Sequence, residues 1–159
     1  MTLADTWKKS WVQNLTLVVI AVIGVYALIY ADVVSRARES YAEGEKYMMW
    51  NQNPAQKSKD LDKKFQDEKS RLDAALEKKK LTMDEYRKKL DAAQFDKEFA
   101  LQESSLKYAY QWYKDTYELF SPPESKWVKM AREKAPQALA LWKEELKSQN
   151  IPFEDTMFE

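Results

Sequence analysis

The side chains best suited to chemistry in this chain are pairs of adjacent acids, such as Asp84-Glu85 and Glu144-Glu145, and a run of aromatics between Phe95 and Phe120. Paired carboxylates can act as general acid and base or grip a divalent cation. On a helix, however, neighbouring side chains diverge by about 100°, and acids near a helix start are expected from the macrodipole. The pairs therefore read as caps and solvated positions, and no EF-hand spacing accompanies them. Phe95, Phe99, Leu106, Tyr110, Tyr113, Tyr117 and Phe120 recur at helical spacing, with Tyr108 and Trp112 broadening the face. Such a face could hold a quaternary ammonium, a quinone or a stacked base. Packing against another helix is the expected use of the face, since tyrosine and tryptophan combine large contact area with a polar tip. Lys78-Lys79-Lys80 could meet phosphates, but neighbouring acids neutralise the field and leave a solvated face as the expectation.

Composition removes most other chemistry. The chain has no histidine and no cysteine. It thus lacks the commonest metal and haem ligand, the side chain best suited to proton transfer near neutral pH, and every thiolate site. Its two glycines, Gly24 and Gly44, cannot build a phosphate loop, a nucleophile elbow or a dinucleotide fingerprint. Lysine plus arginine equal aspartate plus glutamate at 26 each, so no net field draws the protein to nucleic acid. No enzyme activity, cofactor, metal or nucleic-acid partner is expected. Scarce glycine with abundant Ala, Leu, Lys and Glu predicts an all-α chain without β-sheet.

The element that must place everything else is apolar. From Ser10 to Ala31 no residue is charged, and Leu15 to Ala31 is almost continuously apolar. At 1.5 Å per residue this run reaches ~30 Å, the thickness of a bilayer's hydrocarbon layer. Trp11, Leu15, Val18, Ile20, Ile23, Tyr26 and Tyr30 are the expected membrane anchor, with Trp7 and Trp11 at one interface, Tyr30 at the other, and Asp32 at the water boundary. The run is longer than a signal peptide's apolar core and resembles an uncleaved signal anchor. Lys8 and Lys9 face Arg36, Arg38 and Lys46 across it, a nearly balanced count. The short basic N-terminus favours a cytoplasmic N-terminus and a periplasmic or otherwise extracytoplasmic remainder.

Six segments follow from this: a short start at 1–10, a transmembrane helix at 11–34, its helical extension at 35–50, a charged hairpin with an aromatic helix at 55–120, a C-terminal helix at 121–148 and an extended tail at 149–159. Val33, Val34, Ala37, Tyr41, Gly44 and Met48 carry the helix out of the membrane. Asn51-Gln52-Asn53-Pro54 breaks it. Leu61, Phe65, Leu72, Ala75 and Leu76 then form a thin stripe amid charge. Thr82-Met83-Asp84-Glu85 is a capping box that starts the next helix, with Met83, Tyr86, Leu90 and Ala93 as its stripe. The later aromatic stripe is rotated by about half a turn from Leu90. Ser121 to Ser125 ends the aromatic helix, and Trp127, Val128, Ala131, Ala135, Ala138, Leu139, Trp142 and Leu146 form one face of the last. Folding back onto its neighbour would bury both faces, and Pro136 should kink or restart it.

The run from Leu72 to Ala93, with Leu81-Thr82, Glu85-Tyr86, Lys88-Lys89 and Leu90, resembles the SHOCT module, a short helical hairpin. It lacks the glycine that usually precedes the Leu-Thr step and lies mid-chain. The resemblance implies an oligomerisation or docking element without catalysis.

Stripes this thin point to partner chains as covering surfaces. Met48, Met49, Trp50, Tyr110, Trp112, Tyr113, Tyr117, Trp127, Trp142, Phe153 and Phe158 are the expected partner contacts, and the tail is expected to lie on a partner. The class these features suggest is a non-catalytic, single-pass accessory or scaffold subunit of a membrane complex, with lipid and other subunits as partners. Energy-converting electron-transfer complexes are the architectural analogy. The alternatives are a self-assembling stalk and a receptor that binds ligand on its aromatic face.

Overall fold

The computed structural model describes residues 10–158, and the short N-terminal start with Trp7, Lys8 and Lys9 lies outside them. The described residues are all-α, with no strand. The first helix, α1, runs unbroken through Ser10–Gln52, 43 residues or ~65 Å. Its apolar half is long and apolar enough to cross a membrane, and none of that stretch is buried by the rest of the chain. Asn53 then caps α2, Pro54–Glu77, with Pro54 in the first turn, where its missing N–H costs nothing. Next come α3 (Met83–Gln102), α4 (Ser105–Leu119), α5 (Lys126–Ser148) and a 3₁₀ turn at Asp155–Phe158.

The core lies where the second half of α1 meets α4 and α5. Ala131, Ala135 and Ala138 on α5 are fully or almost fully buried together with Ala109 on α4. Side chains this small let the helix backbones approach closely, and Tyr41, Tyr110 and Tyr113 fill the space between. On α1, Gly44 serves the same end: a Cβ there would lie 2.6 Å from Cε1 of Tyr113. Helix α4 runs antiparallel to α1, as two cross-helix pairs show. The Thr116 hydroxyl sits 2.8 Å from that of Ser40, while Tyr108 stacks on Tyr47 with ring centroids 5.2 Å apart. Helix α5 returns parallel to α1, bringing Trp127 beside Tyr41 and Lys134 beside Glu45.

Helices α2 and α3 form a hairpin that packs chiefly on itself, joined to the core through the start of α2. Its seam is thin, with Leu61 and Leu72 as the buried apolar residues of α2 and no buried residue on α3. Polar pairs reinforce it: the Tyr86 hydroxyl donates to Asp73 at 2.6 Å, and Lys97 meets Asp62 at 2.5 Å. The capping box at the start of α3 is complete, with Thr82 accepting from the Glu85 amide and Glu85 accepting from the Thr82 amide.

Three sequence expectations change. The aromatic stretch is not one helix, because α3 stops at Gln102 and Ser104 caps a new helix by accepting from the Lys107 amide. Pro136 lies inside α5, which continues through it rather than restarting there, with the proline on an exposed side of the helix. The tail is partly covered by the chain itself: Phe158 is buried in the core, edge-on to Trp142 at 5.0 Å, and its carbonyl accepts from the Tyr110 hydroxyl at 2.7 Å, while Ile151 and Met157 stay exposed.

Candidate functional site

Two polar centres converge in the folded region. The first lies at the edge of the core around Glu45, whose partly exposed carboxylate accepts from the buried Tyr113 hydroxyl and from Lys134, each at 2.6 Å. Burial works to raise the Glu45 pKa, but the hydrogen bonds from Lys134, Tyr113 and Tyr41 outweigh it and hold the carboxyl below its usual range. Burial, followed by the hydrogen bond to Glu45, pushes the Tyr113 phenol far upward, so it stays protonated and donating. Tyr113 is completely buried, and no buried side-chain nitrogen or oxygen among the described residues lacks a partner. A fully satisfied cluster of this kind locks three helices in register.

The second centre is the junction between core and hairpin. Trp50, at the end of α1, donates its indole N–H to Asp60 at 2.7 Å, and Gln56 donates to the same carboxylate at 2.8 Å. Lys57 reaches from α2 to the end of α3, donating to the carbonyls of Leu101 (3.2 Å) and Glu103 (2.7 Å). These carbonyls belong to the break between α3 and α4, where helical partners have run out. Burial lowers the Lys57 pKa, with Glu145 and Glu103 opposing the shift. Lys46 pairs with Glu43 and lies over the rings of Tyr47 (5.0 Å) and Trp50 (5.2 Å). A cleft of about 390 Å³ opens here between Trp50, Tyr108, Phe99 and Lys64. Its cations are already engaged on carbonyls, rings and acids, apart from Lys64 at the rim.

Protein-family models, curated proteins and solved structures were compared with the chain, and none matches. The geometry alone therefore carries the functional reading. Among the described residues, no three acidic side chains gather to hold a metal ion.

The expected anchor residues are all exposed: Trp11, Leu15, Val18, Ile20, Ile23, Tyr26 and Tyr30 stand clear of the folded region. The expected partner contacts divide. Trp50, Tyr110, Tyr113 and Phe158 are buried within the chain, so these four are covered internally rather than offered to another protein. Met48, Tyr117, Trp127, Trp142 and Phe153 are partly buried against the core, and Trp112 is also partly covered. Met49 remains exposed. The reason for the difference is that three stripes, each thin alone, meet around one axis and cover one another.

The exposed phenylalanines lie elsewhere. On α3, Phe95 and Phe99 are 66% and 50% exposed, with their rings stacked at 6.2 Å. Phe95 stands off the face that carries Leu90, Ala93 and Lys97 towards α2, while Phe99 also borders the junction cleft beside Lys64. The half-turn rotation of the aromatic stripe was the sequence signal for this surface. In sequence it is obscured because the same stripe continues into α4, whose Tyr110 and Tyr113 turn inward.

Proposed function

We propose that this chain is a non-catalytic, membrane-anchored docking subunit. The apolar half of α1 would hold it in the bilayer, the three-helix core would serve as a rigid base, and the α2–α3 hairpin would present a binding face to another subunit. One observation carries the reading: the stacked pair Phe95 and Phe99 is exposed on a helix that buries no residue of its own. Exposed aromatic pairs with polar surroundings suit the centre of a protein interface. The SHOCT-like run at the hairpin tip supports the same role. Lys8 and Lys9 support a cytoplasmic N-terminus with core and hairpin on the other side. Energy-converting membrane complexes, which often carry single-span subunits, are the class to examine first.

Crosslinking in native membranes followed by gentle solubilisation tests the reading. Wild type should capture one heterologous subunit, and the Phe95→Ser/Phe99→Ser double variant should lose it while keeping its own level and helicity. Retention of the partner by the double variant overturns the assignment of this face. Crosslinks found solely between copies of the chain would replace the subunit reading with a self-assembling stalk.

A further inference from the structure

The core carries a second uncovered apolar site, at its end nearest the apolar run. Thr116 on α4 lies opposite Ser40 on α1, and the helices run antiparallel. Three more residues carry α4 ~4.5 Å further along the axis, so its last residue, Leu119, comes level with Ala37. The chain then turns through Phe120 to Ser125 and enters α5, where Trp127 packs on Tyr41 and beneath Arg38. This connection is thus the part of the core closest to Asp32, where the uncharged run ends. Ala37 stands only five residues beyond Asp32, ~7.5 Å along a helix that does not break. The headgroup layer on each side of a bilayer is ~5–8 Å thick.

The exposed chemistry at that height suits an interface. Leu119 is 69% exposed, more than any other large apolar residue of α4 or α5. Phe120, Pro122 and Pro123 follow it, and Pro122 is also exposed. Charges nearby largely cancel: Arg36 pairs with Asp32 at 2.8 Å, and Arg132 grips Glu124 at 2.9 and 3.0 Å. Lys126 lies over the Trp127 ring at 4.4 Å, a cation and an aromatic at the level where both favour headgroups. Glu118 and Glu39 keep the patch from being strongly basic.

We infer that the α4–α5 connection is a second membrane contact, in which Leu119 and the Phe120–Pro123 turn sit in the headgroup layer of the bilayer that holds α1. This rests on the membrane-anchored reading of α1. The contact is apolar and interfacial, so zwitterionic lipid suffices and anionic lipid is not required. Its consequence is orientation: a core touching the bilayer at two places cannot turn or tilt independently of α1, so the hairpin moves only as α1 moves.

Because the chain has no cysteine, single nitroxide labels can be placed cleanly. The full chain carrying Leu119→Cys, Ile23→Cys or Met83→Cys is labelled and reconstituted into pure phosphatidylcholine vesicles. Accessibility to oxygen and to a water-soluble nickel complex is then read by power saturation. The Ile23 label should lie deep in hydrocarbon. The Leu119 label should show an oxygen-to-nickel ratio several-fold above that of Met83, at a depth between the other two. A Leu119 label as open to nickel as Met83, with Ile23 still deep, overturns the second contact and leaves the anchor standing. An Ile23 label open to nickel overturns both.

Discussion

Replacing Gly44 by alanine is the most direct test of how the core is held. In an exposed helix interior, this change stabilises by about 1 kcal/mol. Here the added methyl would lie 2.6 Å from Cε1, 2.7 Å from Cδ1 and 3.1 Å from Cζ of Tyr113. Carbon pairs settle at ~3.5–4.0 Å, so the ring or the helix must move by about an ångström. The ring has little freedom to do so, being fully buried with its hydroxyl held by Glu45 at 2.6 Å. Overpacking of this kind costs ~1–3 kcal/mol. Because α1 and α4 must separate over a stretch that includes the Tyr41 and Glu45 contacts, the upper part of that range applies. The net loss should be ~1–2 kcal/mol after the propensity gain. Chemical unfolding of the full chain in mild detergent, followed by near-ultraviolet circular dichroism, reads it as a lower midpoint. Gly24→Ala is the control, since nothing lies within 4 Å of a Cβ there. A Gly44→Ala midpoint equal to or above wild type would refute the packing argument.

Two further perturbations probe the polar centres. Lys57→Met removes both donations to the carbonyls of Leu101 and Glu103 and should cost ~1–2 kcal/mol, the loss of charged hydrogen bonds being partly offset by relief of a buried ammonium. Amide exchange should quicken across residues 99–105 and stay unchanged within α5; uniform acceleration would show that the lysine does not act locally. Glu45 has a folded pKa below its ordinary value, so its stabilisation is present above the unfolded value of about 4.3 and is lost as pH falls through the folded one. Acid titration of wild type should show that loss, and Glu45→Gln should flatten the curve below about pH 4.3; parallel curves would remove Glu45 from the account.

The helix boundaries were legible wherever a residue dictates backbone geometry. Pro54 forbids helix at Asn53, and the Thr82/Glu85 box writes a start into the chain, so both breaks appear where the sequence places them. The break at Ser104 was harder, because its cap has no reciprocal acid: Lys107 occupies the position that Glu85 fills after Thr82. Pairing of the last two helices was legible from the alanine-rich face at Ala131, Ala135 and Ala138. What periodicity could not show is which stripe meets which. Tyr113 and Phe95 look alike in a helical projection, yet one is fully buried and the other two-thirds exposed. The difference depends on α1 lying across α4 but not across α3, a relation between distant residues that no local pattern encodes. The cover of Phe158 was hidden for the same reason, since it lies beside Tyr110 and Trp142, far away in sequence.

Helix α1 has no joint between its apolar half and the half that packs in the core. With the first half seated in a bilayer, the helix acts as a lever. A change in bilayer thickness is met by leaning, and a lean of about 10° would displace the helix tip at Gln52, ~30 Å beyond Asp32 along α1, by ~5 Å together with the hairpin joined to it. A binding face carried on that hairpin would feel the lipid beneath it without any residue changing conformation.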